Sequence, residues 1–434
     1  MRLPLLSSLL LAAAPLPAAT LTGPGSLSDA DPAPIRIVGL AAGSTVTLVA
    51  ERYIGWAGGT QRSEVRFVTA ADGTIDTSRD APIAGSYSGV SINGPFWSMQ
   101  QAGSTGKPAD DNARLVATSS SGERLVLSVP VWPSAVAQRN VPDFPGAILV
   151  RPAANNSRLP VVIVLGDSEG GTSTAKTYAP ILAAQGFAVL GLPYYSPGYD
   201  PADIVSGLPT SFTDIPADRL VAVKAWIDGQ RDLDGRRIAI WGVSKGGEFA
   251  VLAASRLPWI AAIVGVVPSD VVWEGWGRAG PATSSFSWDG KPLPFVPYLG
   301  FDLELARLQR GERMEARRPH IAGRAAYPER IAAATIKVED YAGQMLLIGG
   351  DDDRVWPSGA MARAIADRRA AAGRATAVLT WPDAGHALAG PGTEPVAPML
   401  ANGGTATGLA GARSSAWAAT IAFLKRTLLP ETTR

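Results

Sequence analysis

Two hydrophobic rhythms divide the chain. From Leu21 to about Gln138 apolar and polar positions alternate in short runs: Ile35-Arg36-Ile37, Thr45–Val49, Ser63–Val68, Arg114–Ala117 and Arg124–Val129. Turn formers such as Gly43-Ser44 and Ala71-Asp72-Gly73 separate them. A period of two turns one side of a strand to the core and the other to water, so residues 20–140 are expected to form an antiparallel β-sandwich. The stretch has no histidine and its acids are scattered at turns, which makes it a structural or docking module.

Near Phe144 the pattern changes. Leu159–Leu165 (LPVVIVL), Phe187–Leu192, Ile238–Trp241, Ile260–Val267, Gln344–Ile348 and Ala375–Trp381 are nearly continuous apolar runs. Helix-compatible segments at Tyr178–Gln185, Ala217–Ile227, Glu248–Arg256 and Ala360–Ala372 fall between them. Strands apolar on both sides, alternating with helices, predict a mostly parallel sheet with helices on both faces over residues 141–434. Ligands of such sheets sit at the carboxyl ends of the strands.

About residues 269–335 break this rhythm and read as a lid-like insertion. Its Trp273, Trp276, Phe286, Trp288, Phe295 and Tyr298 have the aromatic area to line an apolar cavity over an acyl chain. Its arginines 307, 310, 313, 317 and 318 interleave with Glu304, Glu312 and Glu315, as on a solvated helix face, with an anion clamp as the alternative. His320 is expected to be exposed.

The chemistry starts at Gly242-Val243-Ser244-Lys245-Gly246-Gly247, between a strand and a helix. With 47 glycines in 434 residues, G-x-S-x-G alone is too frequent by chance to carry a conclusion, so its context decides. A tight strand–turn–helix raises a serine hydroxyl at the strand's carboxyl end, and flanking glycines let the elements approach. A serine needs a base within hydrogen-bond reach. The chain has 2 histidines, and His386, in Pro382-Asp383-Ala384-Gly385-His386, follows the last strand at the same sheet edge. The acid that orients it is one of Asp351, Asp352 and Asp353, which follow the strand before. Ser…Asp…His, each just beyond a parallel strand, is the order of an α/β hydrolase. The oxyanion would be received by the backbone N–H of Lys245 and of Asp167 or Ser168, in the loop Gly166–Gly171. That loop lacks the Lys-Ser/Thr ending of a phosphate-binding P-loop.

Composition narrows the field. Net charge is +1, which supplies no field for nucleic acid, and the absence of cysteine excludes disulfides, thiolate zinc sites and a cysteine nucleophile. No cofactor or metal is expected. Met1–Thr20 pairs Arg2 with an apolar run and small residues at Ala18-Ala19, the pattern of a cleaved signal peptide over residues 1–19. Export to the periplasm or medium is therefore expected, with the cytoplasm as the location of an uncleaved chain. No other segment has the length of apolar residues needed to span a bilayer.

These motifs resemble the family of acyl-CoA thioesterases and bile-acid-CoA:amino-acid N-acyltransferases. The likeness rests on Ile37–Leu40, Asp72–Asp76, Gly85–Val90 with Phe96–Met99, Leu165–Gly171, Gly242–Glu248, Ser287–Pro294, Gly350–Ser358 and Ala384–His386. It implies an immunoglobulin-like sandwich before an α/β-hydrolase domain, with Ser244 as nucleophile, His386 as base and Asp353 as acid, Asp352 being the fallback. Transferases of the family tend to carry cysteine as nucleophile, so Ser244 implies hydrolysis of a small-molecule acyl thioester or ester. A signal peptide would separate the protein from coenzyme A and shift the expectation to an exported carboxylesterase, lactonase or amidase. A binding protein on a hydrolase scaffold is the non-catalytic alternative.

Overall fold

A computed structural model of the chain describes residues 18–103, 110–133, 135–155 and 157–429. Residues 1–17, most of the segment in which a signal peptide is expected, lie outside the described residues. The chain divides into two compact units.

The first unit comprises the residues up to Gly25, 33–95 and 101–129. It contains two antiparallel sheets. One has three strands, Thr20–Thr22, Arg36–Val38 and Ile75–Asp76; the larger one centres on Thr45–Ile54, Gly59–Val68 and Ala113–Ser119. The alternation seen in the sequence is the alternation of burial. Val65 and Phe67 are buried while Glu64, Arg66 and Val68 are exposed, and Ala113, Leu115 and Ala117 are buried in turn.

The second unit runs from residue 130 onward and takes in two earlier pieces, 26–32 and 96–100. Val396 donates its N–H to the Trp97 carbonyl at 3.0 Å, and the Thr393 hydroxyl donates to the Leu27 carbonyl. The frame of this unit is an eight-stranded sheet: β1 (Val136–Asn140), β2 (Ile148–Pro152), β3 (Leu159–Leu165), β4 (Ala188–Gly191), β5 (Leu233–Val243), β6 (Ala262–Val266), β7 (Gln344–Gly350) and β8 (Ala377–Trp381). The strand order is β1-β2-β4-β3-β5-β6-β7-β8. Strands β3 to β8 pair in parallel, and β2 pairs antiparallel with both β1 and β4. This is an α/β-hydrolase sheet. Strand β1 is mostly exposed and polar, which an edge strand tolerates because it need bury neither face.

Helices cover both faces. Val161, Ile163, Ile238, Ile240, Ile263 and Leu347 pack on one side with α2 (Arg219–Gly229), α3 (Lys245–Ala254) and α7 (Ser358–Ala371). On the other side Trp241 meets Tyr178 of α1 (Ser173–Ala183) at 4.6 Å between ring centroids, and Tyr178 in turn meets Trp417 of α8 (Ala406–Leu428) at 6.4 Å. Because both faces are covered, β3 and β6 are buried along their whole length, which explains the unbroken apolar runs. Between β6 and β7 the insertion carries α4 (Phe301–Gln309), α5 (Arg317–Ala326) and α6 (Pro328–Ala334). Among the described residues no helix is long and apolar enough to cross a membrane.

Candidate active site

Strand β5 ends at Val243 and α3 begins at Lys245, which leaves Ser244 alone to turn the chain. It does so at φ 56° and ψ −119°. A side chain held at positive φ costs about 1–3 kcal/mol, sustained only when the surroundings over-determine the conformation. Two backbone bonds do so here: Ser244 donates its N–H to the Val266 carbonyl at 2.9 Å, and Glu248 donates to the Ser244 carbonyl at 3.0 Å. The glycines are required by space. A Cβ on Gly242 would lie 2.0 Å from the Gly246 oxygen, and one on Gly246 would lie 2.3 Å from the oxygens of Leu165 and Gly166. That last approach sets the turn directly against the loop that follows β3.

The Ser244 hydroxyl lies 2.8 Å from Nε2 of His386, and Nδ1 of His386 lies 2.8 Å from Oδ2 of Asp353. Oδ1 of Asp353 accepts from the N–H groups of Val355 (2.8 Å) and Trp356 (3.2 Å), and Oδ2 also accepts from the Ser358 hydroxyl at 2.5 Å. A carboxylate accepting from all sides fixes the proton of His386 on Nδ1 and leaves Nε2 to accept from serine. Asp353 is fully buried, whereas the His386 side chain keeps 11% of its surface exposed.

The three aspartates, alike in local pattern and told apart in sequence only by the family resemblance, which points to Asp353, separate in space. Asp351 pairs with Arg363 at 2.7 Å, and Asp352 accepts the N–H of Gly404 at 2.8 Å. Of the three, only Asp353 reaches His386. One backbone carbonyl joins the acid and base loops, and an arginine steadies the base loop. The Asn402 carbonyl accepts from the backbone N–H of both Arg354 (3.2 Å) and His386 (3.0 Å), and Arg413 holds the Ala387 carbonyl at 2.8 Å.

Lys245 contributes the first N–H of α3, a position without an acceptor inside its own helix. Asp167 and Ser168 lie in the loop that Gly246 touches; Tyr194 pins that loop by donating to the Gly166 carbonyl at 2.7 Å. Burial raises the carboxyl of Asp167, opposed by the Glu169 N–H and by nearby His386; burial likewise raises Glu169, with the charge of Asp167 adding to it. Among the described residues no three His, Asp or Glu side chains are grouped to hold a metal ion.

His320 departs from expectation. It is 3% exposed, not a surface residue, enclosed by Trp273, Tyr298, Phe301 and Trp356 with ring centroids 4.6–6.1 Å away. Its Nδ1 lies 2.6 Å from the Ala316 carbonyl, and Nε2 is buried with no hydrogen-bond partner among the described residues. The amphipathic pattern around it reads as surface because the rings that cover it lie far away in sequence. Burial pushes its pKa from 6.5 down to about 3. Since the folded value is below the unfolded one, the unfolded chain binds the extra proton, and this stabilisation is complete above pH 6.5 and lost as pH falls towards 3. Denaturant melts of His320→Leu should therefore lose stability less steeply from pH 6.5 to pH 4 than the wild type, by on the order of a few kcal/mol; parallel slopes would contradict this.

The insertion arginines do what a solvated face does, with two exceptions. Arg307, Arg310 and Arg318 pair with Glu304, Glu312 and Glu315. Arg313 instead bonds the carbonyls of Leu400 and Ala401, and Arg317 donates to those of Asp351 and Asp353, both at 2.9 Å. The insertion thus grips the acid loop. Sequence reasoning also missed that the side chains of Lys245 and Glu248 form a buried ion pair; their spacing of three on one helix was the available signal.

Residues 30–140 match the family described as acyl-CoA thioester hydrolase/BAAT N-terminal region, and residues 222–430 match BAAT/acyl-CoA thioester hydrolase C terminal. Residues 146–273 also match the dienelactone hydrolase family. Acyl-coenzyme A thioesterase 2, mitochondrial, of Rattus norvegicus is 27% identical over 391 residues, 85% of this chain and 78% of its own length. Acyl-coenzyme A thioesterase 1 of Mus musculus is 25% identical over 352 residues, 76% of each chain. Among solved structures, an esterase of Pyrobaculum calidifontis aligns with a TM-score of 0.39 at 16% identity, covering 68% of this chain and 86% of that one. With the N-terminal and C-terminal regions matched in sequence order, the chain belongs to the acyl-CoA thioester hydrolase/BAAT family.

Proposed function

We propose that the protein is a serine hydrolase that cleaves acyl thioesters through a covalent acyl-enzyme. The observation that carries this is the contact of a strained Ser244 with His386 and of His386 with Asp353, each at 2.8 Å. As the Ser244 oxygen bonds to the acyl carbon, its proton passes to Nε2 of His386, and the carbonyl electrons move onto oxygen. The N–H of Lys245 and one from Asp167 or Ser168 receive that oxyanion. When the tetrahedral species collapses, the leaving sulfur or oxygen departs with the proton from His386. Water, deprotonated by the same nitrogen, then releases the acid and restores Ser244.

The thioester as substrate rests on the family and on relatives that are acyl-coenzyme A thioesterases. A second reading, an exported hydrolase of carboxylic esters or lactones, is favoured by the signal-like pattern of Met1–Thr20. The deciding experiment pairs a fluorophosphonate probe with two substrate sets, acyl-CoA thioesters and p-nitrophenyl esters of the same acyl chains. Labelling at Ser244 and preferred turnover of thioesters is the expected result. Turnover of esters alone, with mature protein beginning near Ala19 in the periplasm, favours the second reading. A folded protein that is neither labelled nor active on either set would leave only a binding role.

A further inference from the structure

Lys245 sits beside the nucleophile and presents its backbone N–H to the oxyanion position, yet its side chain runs into the core. The side chain is 2% exposed, and its ammonium lies 2.5 Å from Oε2 of Glu248 and 2.9 Å from the Ser285 hydroxyl, surrounded by the rings of Phe212, Trp276 and Phe286 at 5.1–5.8 Å. Glu248, with no exposed surface, uses its other oxygen to accept the Trp273 N–H at 3.2 Å. The Ser285 hydroxyl, in turn, lies 2.8 Å from the Trp273 carbonyl and 2.9 Å from that of Glu274. The network therefore closes between the first turn of α3 and residues 273–285, the opening of the insertion.

Stability alone is a weak reason for this arrangement, because well-packed apolar side chains commonly replace a buried ion pair without loss. What directional bonds add over apolar packing is a single orientation. The peptide group joining Ser244 to Lys245 is anchored on its serine side by the Ser244 carbonyl, which accepts the Glu248 N–H at 3.0 Å, and on its lysine side by the ammonium. With both anchors in place the Lys245 N–H has no freedom to swing away from the oxyanion.

We propose that Lys245 and Glu248 are positioning residues which, through Ser285 and the Trp273 amide, hold the Lys245 N–H in line with the oxyanion, so that the insertion is part of the catalytic machinery and not only a cover. The inference rests on the hydrolase reading above. Misplacing an oxyanion donor by a fraction of an ångström lowers kcat and leaves ground-state binding intact.

The test uses two variants of the full chain. Lys245→Met/Glu248→Gln removes both charges together, avoids an unpaired buried ion and keeps an acceptor for Trp273. Ser285→Ala keeps the ion pair and its bond to the Trp273 N–H and cuts only the tie that runs through the Ser285 hydroxyl. For the double variant kcat is expected to fall about 10- to 100-fold with KM within about twofold. Ser285→Ala should lose several-fold in the same way. In both, a burst titration should count as many reactive Ser244 sites as in the wild type, a readout that simple destabilisation would lower. Folded variants with kcat within about twofold of the wild type overturn the proposal; if the double variant does not fold, Ser285→Ala decides alone. A wild type that resists the fluorophosphonate probe would instead sink the hydrolase reading beneath it.

Discussion

Ser244→Ala is expected to lower kcat by about 10⁴- to 10⁶-fold while the protein melts within a few degrees of the wild type. The hydroxyl is the only part of the side chain that meets His386, and its removal leaves no group to form the acyl bond. The turn itself should survive, because alanine keeps both the Val266 and Glu248 backbone bonds that impose the positive φ. Steady-state turnover of the best thioester or ester, measured beside a thermal melt, checks this. A folded variant that retains a tenth of the wild-type rate would remove Ser244 from the mechanism.

The second large effect is expected at the acid. Asp353→Asn should cost about 10⁴-fold in kcat, and the structure says why the substitution is so unforgiving. Oδ1 of Asp353 accepts from two backbone N–H groups, those of Val355 and Trp356, so the oxygen of an asparagine is held at that end. Its amide nitrogen is then forced to the Oδ2 position, facing Nδ1 of His386. A donor there favours the imidazole tautomer with its proton on Nε2, which has no lone pair left to accept from serine. The substitution also takes from the Ser358 hydroxyl the acceptor it has at Oδ2. Asp352→Asn is the control, since an asparagine oxygen can still accept the Gly404 N–H, and its kcat should stay within about threefold of the wild type. Equal losses in the two variants would show that general disturbance of the loop, not the tautomer, is being measured.

The division between what could and could not be read from the chain follows the reach of the interactions. Runs such as LPVVIVL and IAAIVGVV report their own environment, since a strand buried on both faces must be apolar at every position. The glycines around Ser244 are legible for a partly local reason: Gly242 clears the Gly246 carbonyl within the turn, whereas Gly246 makes room for Leu165 and Gly166 of a distant segment. Ser244 and His386 could be singled out because each follows a strand of one parallel sheet, which brings its loops to a common edge. The burial of His320 could not, because its enclosure is built by Trp273, Tyr298 and Trp356 from three separate segments. Nor could the pieces 26–32 and 96–100 be assigned to the second unit, because the bonds that hold them, from Thr393 and Val396 to the carbonyls of Leu27 and Trp97, leave no trace in the hydrophobic pattern.

The sequence by itself determined the two architectures, the turn that carries Ser244 and the sheet edge at which a site can form, because periodicity and steric allowance act within a few residues. The local pattern left three aspartates open and the family resemblance pointed to Asp353, but only the tertiary structure shows which of them lies against His386, where the charge of Lys245 goes and that Arg317 holds the acid loop from the insertion. Those choices depend on angles and distances of a few tenths of an ångström between segments far apart in the chain, and residue type does not encode them one position at a time.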